Sequence, residues 1–302
     1  MARSVFRPQF HSQVRKLIRT LVTTDFIVQA PAVAPRTLAM LAKRTHAGAI
    51  IPFGAGMPPA YCFPGIEEDG ALLAAAAETG CDAAFVPVSR RLDRVRLVAM
   101  DMDSTLITIE CIDEIADLHG IKPEVAAITA SAMRGDIEFA ESLRRRVALL
   151  AGLPVTALER VYDERLQLSP GAVRMLAGFA AAGAKTALLS GGFTFFTDRL
   201  KARLGLDYTI SNTLETVDGR LTGRIAGPVV DAEVKAATLR RLKRELAGDS
   251  GLAVAIGDGA NDLPMFAAAD ISVAYRAKPI VRASATHAID YCGLDGVLNL
   301  FR

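Results

Sequence analysis

Two carboxylates stand one residue apart where an apolar run ends. Residues 97–100 (LVAM) predict a compact buried strand, and the chain continues directly as DMDST, residues 101–105. Because ligands of parallel α/β sheets bind beyond the carboxyl ends of the strands, we expect Asp101 and Asp103 in such a crevice. Two close carboxylates favour a bound hard cation such as Mg²⁺, and a carboxylate can attack an electrophilic, well-aligned phosphorus atom. The alternative for these residues alone is a pair of helix-capping or turn aspartates.

Three later stretches could complete such a site. Ser190-Gly191-Gly192 follows the predicted strand at residues 186–189, and a hydroxyl beside unencumbered N–H groups is typical of an anion cradle. Lys235 lies in an alternately charged stretch and could supply a fixed cation. The run GDGAND at residues 257–262 follows the strand at 252–256, and Asp258 in it suits a hard-metal site. Taken singly, these are also consistent with a glycine-rich turn, a solvated lysine and a tight turn before a helix.

The order of these four stretches predicts phosphoryl transfer, because together they provide a nucleophile, an anion cradle, a cation and metal ligands. This order resembles the haloacid dehalogenase superfamily of phosphatases. Within it the chain resembles the phosphoserine phosphatase family over about two-thirds of its length, from near Leu97 to the C-terminus. The segments that carry the resemblance are residues 98–117, 132–150, 188–196, 212–223 and 255–265.

The resemblance implies a role for each residue that matches. Asp101 resembles the nucleophile, and Asp103 resembles the general acid that protonates the leaving serine oxygen and then the base that activates water. The implied Mg²⁺ ligands are Asp101, the backbone carbonyl of Asp103, and Asp258. The implied phosphate binders are Ser190, Gly191 and Lys235. The implied reaction is hydrolysis of phosphoserine to serine and phosphate, the last step of serine biosynthesis, through an aspartyl-phosphate intermediate.

Substrate selection is expected from a helical segment that follows the first catalytic strand. Glu110 matches the residue that binds the substrate ammonium, and Arg146 matches the residue that grips its carboxylate. Met133 and Phe139 match apolar residues that close over the pocket, and Asn261 matches a residue near the substrate. Without the resemblance, the basic run at 144–146 is interpreted as a solvent-exposed helix surface. Met133 and Phe139 are then interpreted as residues of the hydrophobic core.

The fold class predicted is α/β in two regions. Residues 1–92 read as a small α/β domain that resembles ferredoxin-like ACT modules, for which a regulatory role is a hypothesis. The polar stretch 89–96 is the expected boundary. Residues 93–302 read as a Rossmann-like, mainly parallel sheet with helices on both faces. A helical cap is expected at about 107–167, and Asp218-Gly219 predicts a small β-hairpin within 214–225.

Composition excludes several classes of function. The net charge of +2 gives no case for nucleic acid, and no segment approaches the length of a membrane span. Four scattered cysteines favour a reduced, cytoplasmic protein over a disulfide scaffold or a zinc site. Residues 1–24 are basic and lack the apolar stretch of a secretory signal, so we expect an exposed start leading into a helix rather than a transit peptide.

Two alternative functions stay open at this point. One is a phosphatase or phosphotransferase of the same superfamily that acts on another small phosphate ester. The other is a regulatory protein that senses an amino acid and carries a degenerate catalytic domain, although the intact Asp101, Asp103, Lys235 and Asp258 argue against it. A homodimer is expected only because two-fold pairs are the commonest oligomers.

Overall fold

The computed structural model describes residues 23–54, 58–248 and 250–302. The chain divides into two compact units, one of residues up to Arg91 together with Asn299–Arg302, and the other of Leu92–Leu298. The predicted basic start lies outside the described residues up to residue 22. Each unit is described by itself below.

The first unit is a four-stranded antiparallel sheet with two helices. Along the chain come β1 (Thr24–Gln29), α1 (Pro35–Thr45), β2 (Ile51–Phe53), β3 (Ala60–Phe63), α2 (Gly70–Ala77) and β4 (Asp82–Pro87). The sheet order β2-β3-β1-β4 and this βαββαβ sequence make the ferredoxin-like arrangement that the sequence predicts. Strand β3 was not predicted, because a proline-rich turn precedes it and it is only four residues long.

Local chemistry explains where the helices of this unit begin. Pro35 occupies the first turn of α1, where its missing N–H costs nothing. The Asp69 side chain accepts a hydrogen bond from the Ala71 backbone N–H at 2.9 Å and so caps α2. Phe26 packs against Phe63 and Phe85, with ring centroids 5.8 and 5.0 Å apart, in the core between sheet and helices.

The second unit is built on a seven-stranded sheet of order β11-β10-β9-β5-β6-β7-β8. Every neighbouring pair is parallel except the β7–β8 hairpin. The strands are β5 (Val95–Met100), β6 (Lys185–Phe193), β7 (Tyr208–Val217), β8 (Arg220–Ala226), β9 (Leu252–Gly257), β10 (Ile271–Tyr275) and β11 (His287–Ile289). The predicted α/β class with a parallel-dominated sheet is confirmed. Strand β5, which Asp101 follows directly, lies in the middle, between β9 and β6, so their carboxyl ends meet at one edge.

Helices fill the crossovers between these strands, as right-handed parallel connections require. They are α3 (Cys111–Leu118), α4 (Lys122–Met133), α5 (Phe139–Ala148), α6 (Thr156–Arg160), α7 (Ala172–Ala181), α8 (Thr194–Leu204), α9 (Ala232–Leu246), α10 (Leu263–Ala268) and α11 (Pro279–Ser284). Helices α3 to α6 form the predicted cap between β5 and β6. The chain leaves and re-enters the sheet side by side, because Ile107 pairs with Leu168.

The β7–β8 hairpin closes at Asp218 and Gly219, as predicted. Both have positive φ, 49° and 74°, which is the geometry that twisted two-residue hairpin turns require. The hairpin is tied to the cap by backbone hydrogen bonds from Gly152 N to Leu221 O (2.8 Å) and from Val155 N to Gly219 O (2.9 Å).

No helix within the described residues combines the length and the apolar character that a membrane crossing requires.

Candidate active site

The site is centred on Asp101, the residue that follows β5. Its carboxylate is 6% exposed, and Oδ1 accepts a hydrogen bond from the Met102 backbone N–H at 2.7 Å. Oδ2 accepts from Asn261 Nδ2 at 3.1 Å and lies 3.0 Å from Lys235 Nζ. Three chain segments therefore converge on one side chain at the carboxyl edge of the sheet, as the sequence predicts.

Lys235 is a buried cation rather than a solvated surface residue. It lies in the first turns of α9, and its side chain is 1% exposed. Its Nζ donates to Asp262 Oδ1 at 2.6 Å as well as pairing with Asp101. Burial opposes the charged form, but the two carboxylates outweigh burial and raise the pKa of Lys235. This lysine therefore keeps its charge throughout the physiological range.

Three carboxylates form an acidic cluster suited to a hard cation. Oxygen atoms of Asp101, Asp258 and Asp262 all lie within 4.8 Å of one another. Carboxylate oxygens at this spacing match the ligand preference of Mg²⁺. Burial raises the pKa of Asp258 to about 6, and a hydrogen bond from Thr105 Oγ1 to its Oδ1 (2.7 Å) opposes that shift. The residues present fit a divalent cation, which would relieve the repulsion between them.

Asp262 is a member of the site to which the sequence assigned no role. Its Oδ2 accepts the backbone N–H groups of Asp258 and Gly259, both at 3.1 Å. A Cβ atom at Gly257 would lie 2.3 Å from that oxygen, so only glycine leaves room for the carboxylate. The two aspartates of GDGAND indicated a functional segment. The sequence alone could not show whether Asp262 binds a metal or holds Lys235 in place.

Asp103 is hydrogen-bonded to the start of α3 and is not one of the three clustered carboxylates. Its Oδ1 accepts the Cys111 backbone N–H at the start of α3 (3.0 Å), and Ser104 beside it adopts a positive φ of 54°. Burial, reinforced by the Glu110 carboxylate, raises the pKa of Asp103 well above its ordinary value. A carboxyl group whose pKa is raised by burial holds its proton more tightly than an exposed one, which suits a general acid.

The predicted anion cradle lies beside Asp103. The β6–β7 ladder is irregular between Leu189 and Phe193, and the Ser190 hydroxyl accepts the Gly192 backbone N–H at 2.9 Å. A Cβ atom at Gly192 would lie 2.8 Å from Asp103 Oδ2, and one at Gly191 would lie 3.0 Å from the Phe139 ring. The two glycines therefore let the backbone approach both the Asp103 carboxyl group and the Phe139 ring of the cap.

The cap places charged residues above this edge. Glu110 immediately precedes α3, and its Oε1 accepts the Ser104 hydroxyl at 2.6 Å. Glu110 is exposed at the surface as a whole residue, but burial of its carboxyl group raises its pKa to about 7. On α5, burial lowers the pKa of the Arg146 guanidinium, while the nearby carboxylates of Asp113 and Glu110 oppose the shift. The charges of Glu110 and Arg146 therefore lie close enough to interact.

The two apolar cap residues differ in their surroundings. Phe139 is half-buried and lies against Gly191, whereas Met133 at the end of α4 is 67% exposed. Met133 is therefore not part of the core in this structure, and its contact with the substrate stays a prediction.

Comparisons with known proteins point to one group of enzymes. A family model described as haloacid dehalogenase-like hydrolase matches residues 98–267, more than half of the chain. A phosphoserine phosphatase of Polaromonas sp. is 53% identical over 221 residues, covering 70% of this chain and 92% of that protein.

Two solved structures are similar over long stretches. The unliganded crystal structure of a probable phosphoserine phosphatase from Vibrio cholerae has a TM-score of 0.80 and 40% identity, covering 91% of this chain and 85% of that one. A substrate-bound phosphoserine phosphatase complex has a TM-score of 0.63 and 37% identity, covering 69% of this chain and 99% of that one. At 91% coverage, the first similarity extends into both compact units. At 69% coverage, the second is about as long as the unit of Leu92–Leu298.

Proposed function

The chain belongs to the haloacid dehalogenase-like hydrolase family, and we propose that it hydrolyses phosphoserine to serine and inorganic phosphate. The observation that carries the proposal is the buried Asp101 carboxylate, held by Lys235 within an acidic cluster and beside a glycine cradle. The resemblance to the Polaromonas phosphatase and to the substrate-bound complex supports phosphoserine as the substrate. The reaction is the last step of serine biosynthesis.

Asp101 is the nucleophile in this proposal. Its carboxylate oxygen forms a bond to phosphorus while the bond from phosphorus to the serine oxygen breaks. Asp103 gives its proton to that oxygen, and its raised pKa supports this role. Asp103, now ionised, then takes a proton from water, whose oxygen attacks the aspartyl phosphate. Phosphate leaves and Asp101 is regenerated.

The phosphate group is bound by Ser190, Gly191 and Lys235. The burial of Lys235 strengthens its attraction to phosphate oxygens, since water does not screen it. Asp101, the Asp103 backbone carbonyl and Asp258 would hold Mg²⁺, which would supply charge neutralisation at the phosphate oxygens. Asp262 holds Lys235 in place and completes the acidic cluster.

The cap selects the rest of the substrate. Glu110 binds the ammonium group, and Arg146 binds the carboxylate through two parallel hydrogen bonds. The Phe139 ring lies against Gly191 and supports a position for the cap directly over the phosphate. Met133 and Asn261 complete the proposed substrate contacts. Met133 is exposed here, so its contact requires a closer approach of the cap.

Phosphate release from phosphoserine tests the proposal. We expect release with Mg²⁺, loss of release with excess EDTA and recovery when excess Mg²⁺ is added. The Mg²⁺ concentration for half-maximal activity should fall as pH rises from 5.5 to 7.5, because Asp258 loses its competing proton near pH 6. Equal phosphate release with Mg²⁺ and with excess EDTA would contradict the role of the cation. Faster hydrolysis of another small phosphate ester in a substrate panel would contradict phosphoserine as the substrate.

Stability gives the same prediction a second readout. The Asp258 pKa of about 6 lies above its ordinary value of 3.8, so its contribution to metal-free stability is present below pH 4 and is lost as pH rises through 6. Mg²⁺ should therefore raise the thermal unfolding midpoint more at pH 7.5 than at pH 5.5. An equal rise at both values would contradict the assignment of Asp258.

We further propose that residues 1–92 form an ACT-like regulatory domain before a catalytic domain of residues 93–302. The ferredoxin-like arrangement of the first unit supports it. If serine binds that domain, added serine should lower kcat of the full chain without competing with phosphoserine. Purely competitive inhibition would leave serine as a product at the active site and contradict the regulatory role.

Two broader assignments belong to the same proposal. All four cysteines are buried free thiols, which supports a reducing, cytoplasmic environment. The protein is expected to pair as a homodimer, and sedimentation at micromolar concentration would show a monomer if that expectation is wrong.

A further inference from the structure

Asn212 is a buried amide beside the active site to which the proposed reaction gives no role. It lies on β7 and is 1% exposed. Its Nδ2 donates to the Gly191 carbonyl at 2.8 Å, and its Oδ1 accepts the Val230 backbone N–H at 2.8 Å. A third, longer contact runs from Nδ2 to the Val230 carbonyl at 3.4 Å. The amide therefore joins two separate backbone segments.

The first of these segments lacks its regular strand partner. Leu189 pairs with Ile210 and Phe193 pairs with Asn212, so four steps along β6 match two along β7. The backbone of residues 190–192 consequently bulges out of the ladder. The Asn212 side chain supplies the hydrogen bond that the Gly191 carbonyl cannot obtain from the sheet.

The second segment begins the helix that carries the buried cation. Val230 precedes Asp231, whose side chain accepts the Val234 N–H at 2.9 Å and caps α9. Lys235 lies in the first turns of this helix. A shift at Val230 would move that helix start and, with it, the ammonium group that pairs with Asp101.

We propose that Asn212 is a positioning residue that holds the anion cradle at Gly191 in register with the start of α9, and thereby with Lys235. The inference rests on the proposed function. Asparagine fits because the site needs a donor toward one carbonyl and an acceptor from one N–H on the same planar group. Aspartate keeps the shape and the acceptor but loses the donor, and it sets an oxygen against the Gly191 carbonyl.

Asn212→Asp and Asn212→Ser test this inference by their pattern of kinetic loss. Both variants should lower kcat/KM for phosphoserine and for 4-nitrophenyl phosphate by the same factor, about 10- to 100-fold, because cradle and cation contact the phosphate that the two substrates share. Inhibition by orthovanadate should weaken in parallel. A loss confined to phosphoserine would place Asn212 in cap recognition instead and overturn the inference.

A matched substitution controls for burial. Asn299 in the other compact unit is also a buried amide, donating to Gln29 Oε1 at 2.8 Å. Asn299→Asp should leave the kinetics of folded protein within about twofold of the wild type, since the Asn299 amide bonds Gln29 and Pro58 rather than residues of the proposed site. Wild-type kinetics in both Asn212 variants, or a loss explained entirely by unfolded protein in thermal scans, would overturn the inference. If the wild-type chain does not hydrolyse phosphoserine, but the Asn212 variants still lose activity on 4-nitrophenyl phosphate, only the proposed substrate is overturned.

Discussion

Asp101→Asn is expected to abolish turnover of phosphoserine, by about 10⁴-fold or more, while the protein stays folded. The amide cannot form the aspartyl phosphate. Its nitrogen lone pair is delocalised into the carbonyl group, and its oxygen lacks the negative charge of a carboxylate. Folding should survive because the change removes one of three carboxylates that lie within 4.8 Å of each other, which relieves repulsion. The measurement is phosphate release together with a thermal unfolding scan.

An exposed aspartate provides the control for that substitution. Asp218 lies in the hairpin turn with a φ of 49°, where asparagine is equally suited. Asp218→Asn should keep wild-type turnover. Retained turnover in Asp101→Asn, in protein free of wild-type contamination, would mean that another group attacks phosphorus.

Arg146→Ala is expected to separate phosphoserine from simpler phosphate esters. The guanidinium would bind only the substrate carboxylate, so kcat/KM for phosphoserine should fall by about 100-fold, the scale for losing one partner of a charged hydrogen-bonded pair. Turnover of 4-nitrophenyl phosphate, which has no carboxylate, should change little. Steady-state kinetics on both substrates measures the difference.

The adjacent arginine offers a matched control on the same helix. Arg145 is exposed and pairs with Glu141 at 2.7 Å, one helical turn away. Arg145→Ala should leave both substrates unaffected, because exposed pairs of this kind contribute little. Equal losses on both substrates in Arg146→Ala would show that Arg146 supports the cap fold rather than recognises a carboxylate.

Much of this site could be predicted because its residues follow strand ends. Asp101 and Asp258 come directly after apolar runs, and parallel strands bring their carboxyl ends to one edge. The hairpin was equally predictable, since Asp218-Gly219 is a turn signal that depends on local φ values alone.

Lys235 shows where local sequence is insufficient. Its neighbours alternate in charge and indicate a solvated face, yet α9 packs so that this side chain is buried between Asp101 and Asp262. Only the tertiary position of two distant acids decides between these outcomes. The family resemblance, rather than its own surroundings, identified it in advance.

Asn212 and strand β3 were missed for different physical reasons. The role of Asn212 depends on a break in the β6–β7 ladder. Gly191 and Gly192 mark an irregular strand, but nothing in the sequence connects them with Asn212. Strand β3 has four residues and is defined by its pairing with β1 and β2 rather than by its own pattern. In both cases long-range backbone pairing carries the information.

The most direct test of the nucleophile is chemical trapping during turnover. The wild-type chain, acid-quenched while hydrolysing phosphoserine with Mg²⁺, is reduced with borohydride, which converts a phosphorylated aspartate to homoserine. We predict that peptide mass spectrometry finds homoserine at position 101 and nowhere else. Homoserine at position 103, or undisturbed aspartate at position 101 during verified turnover, would contradict the account.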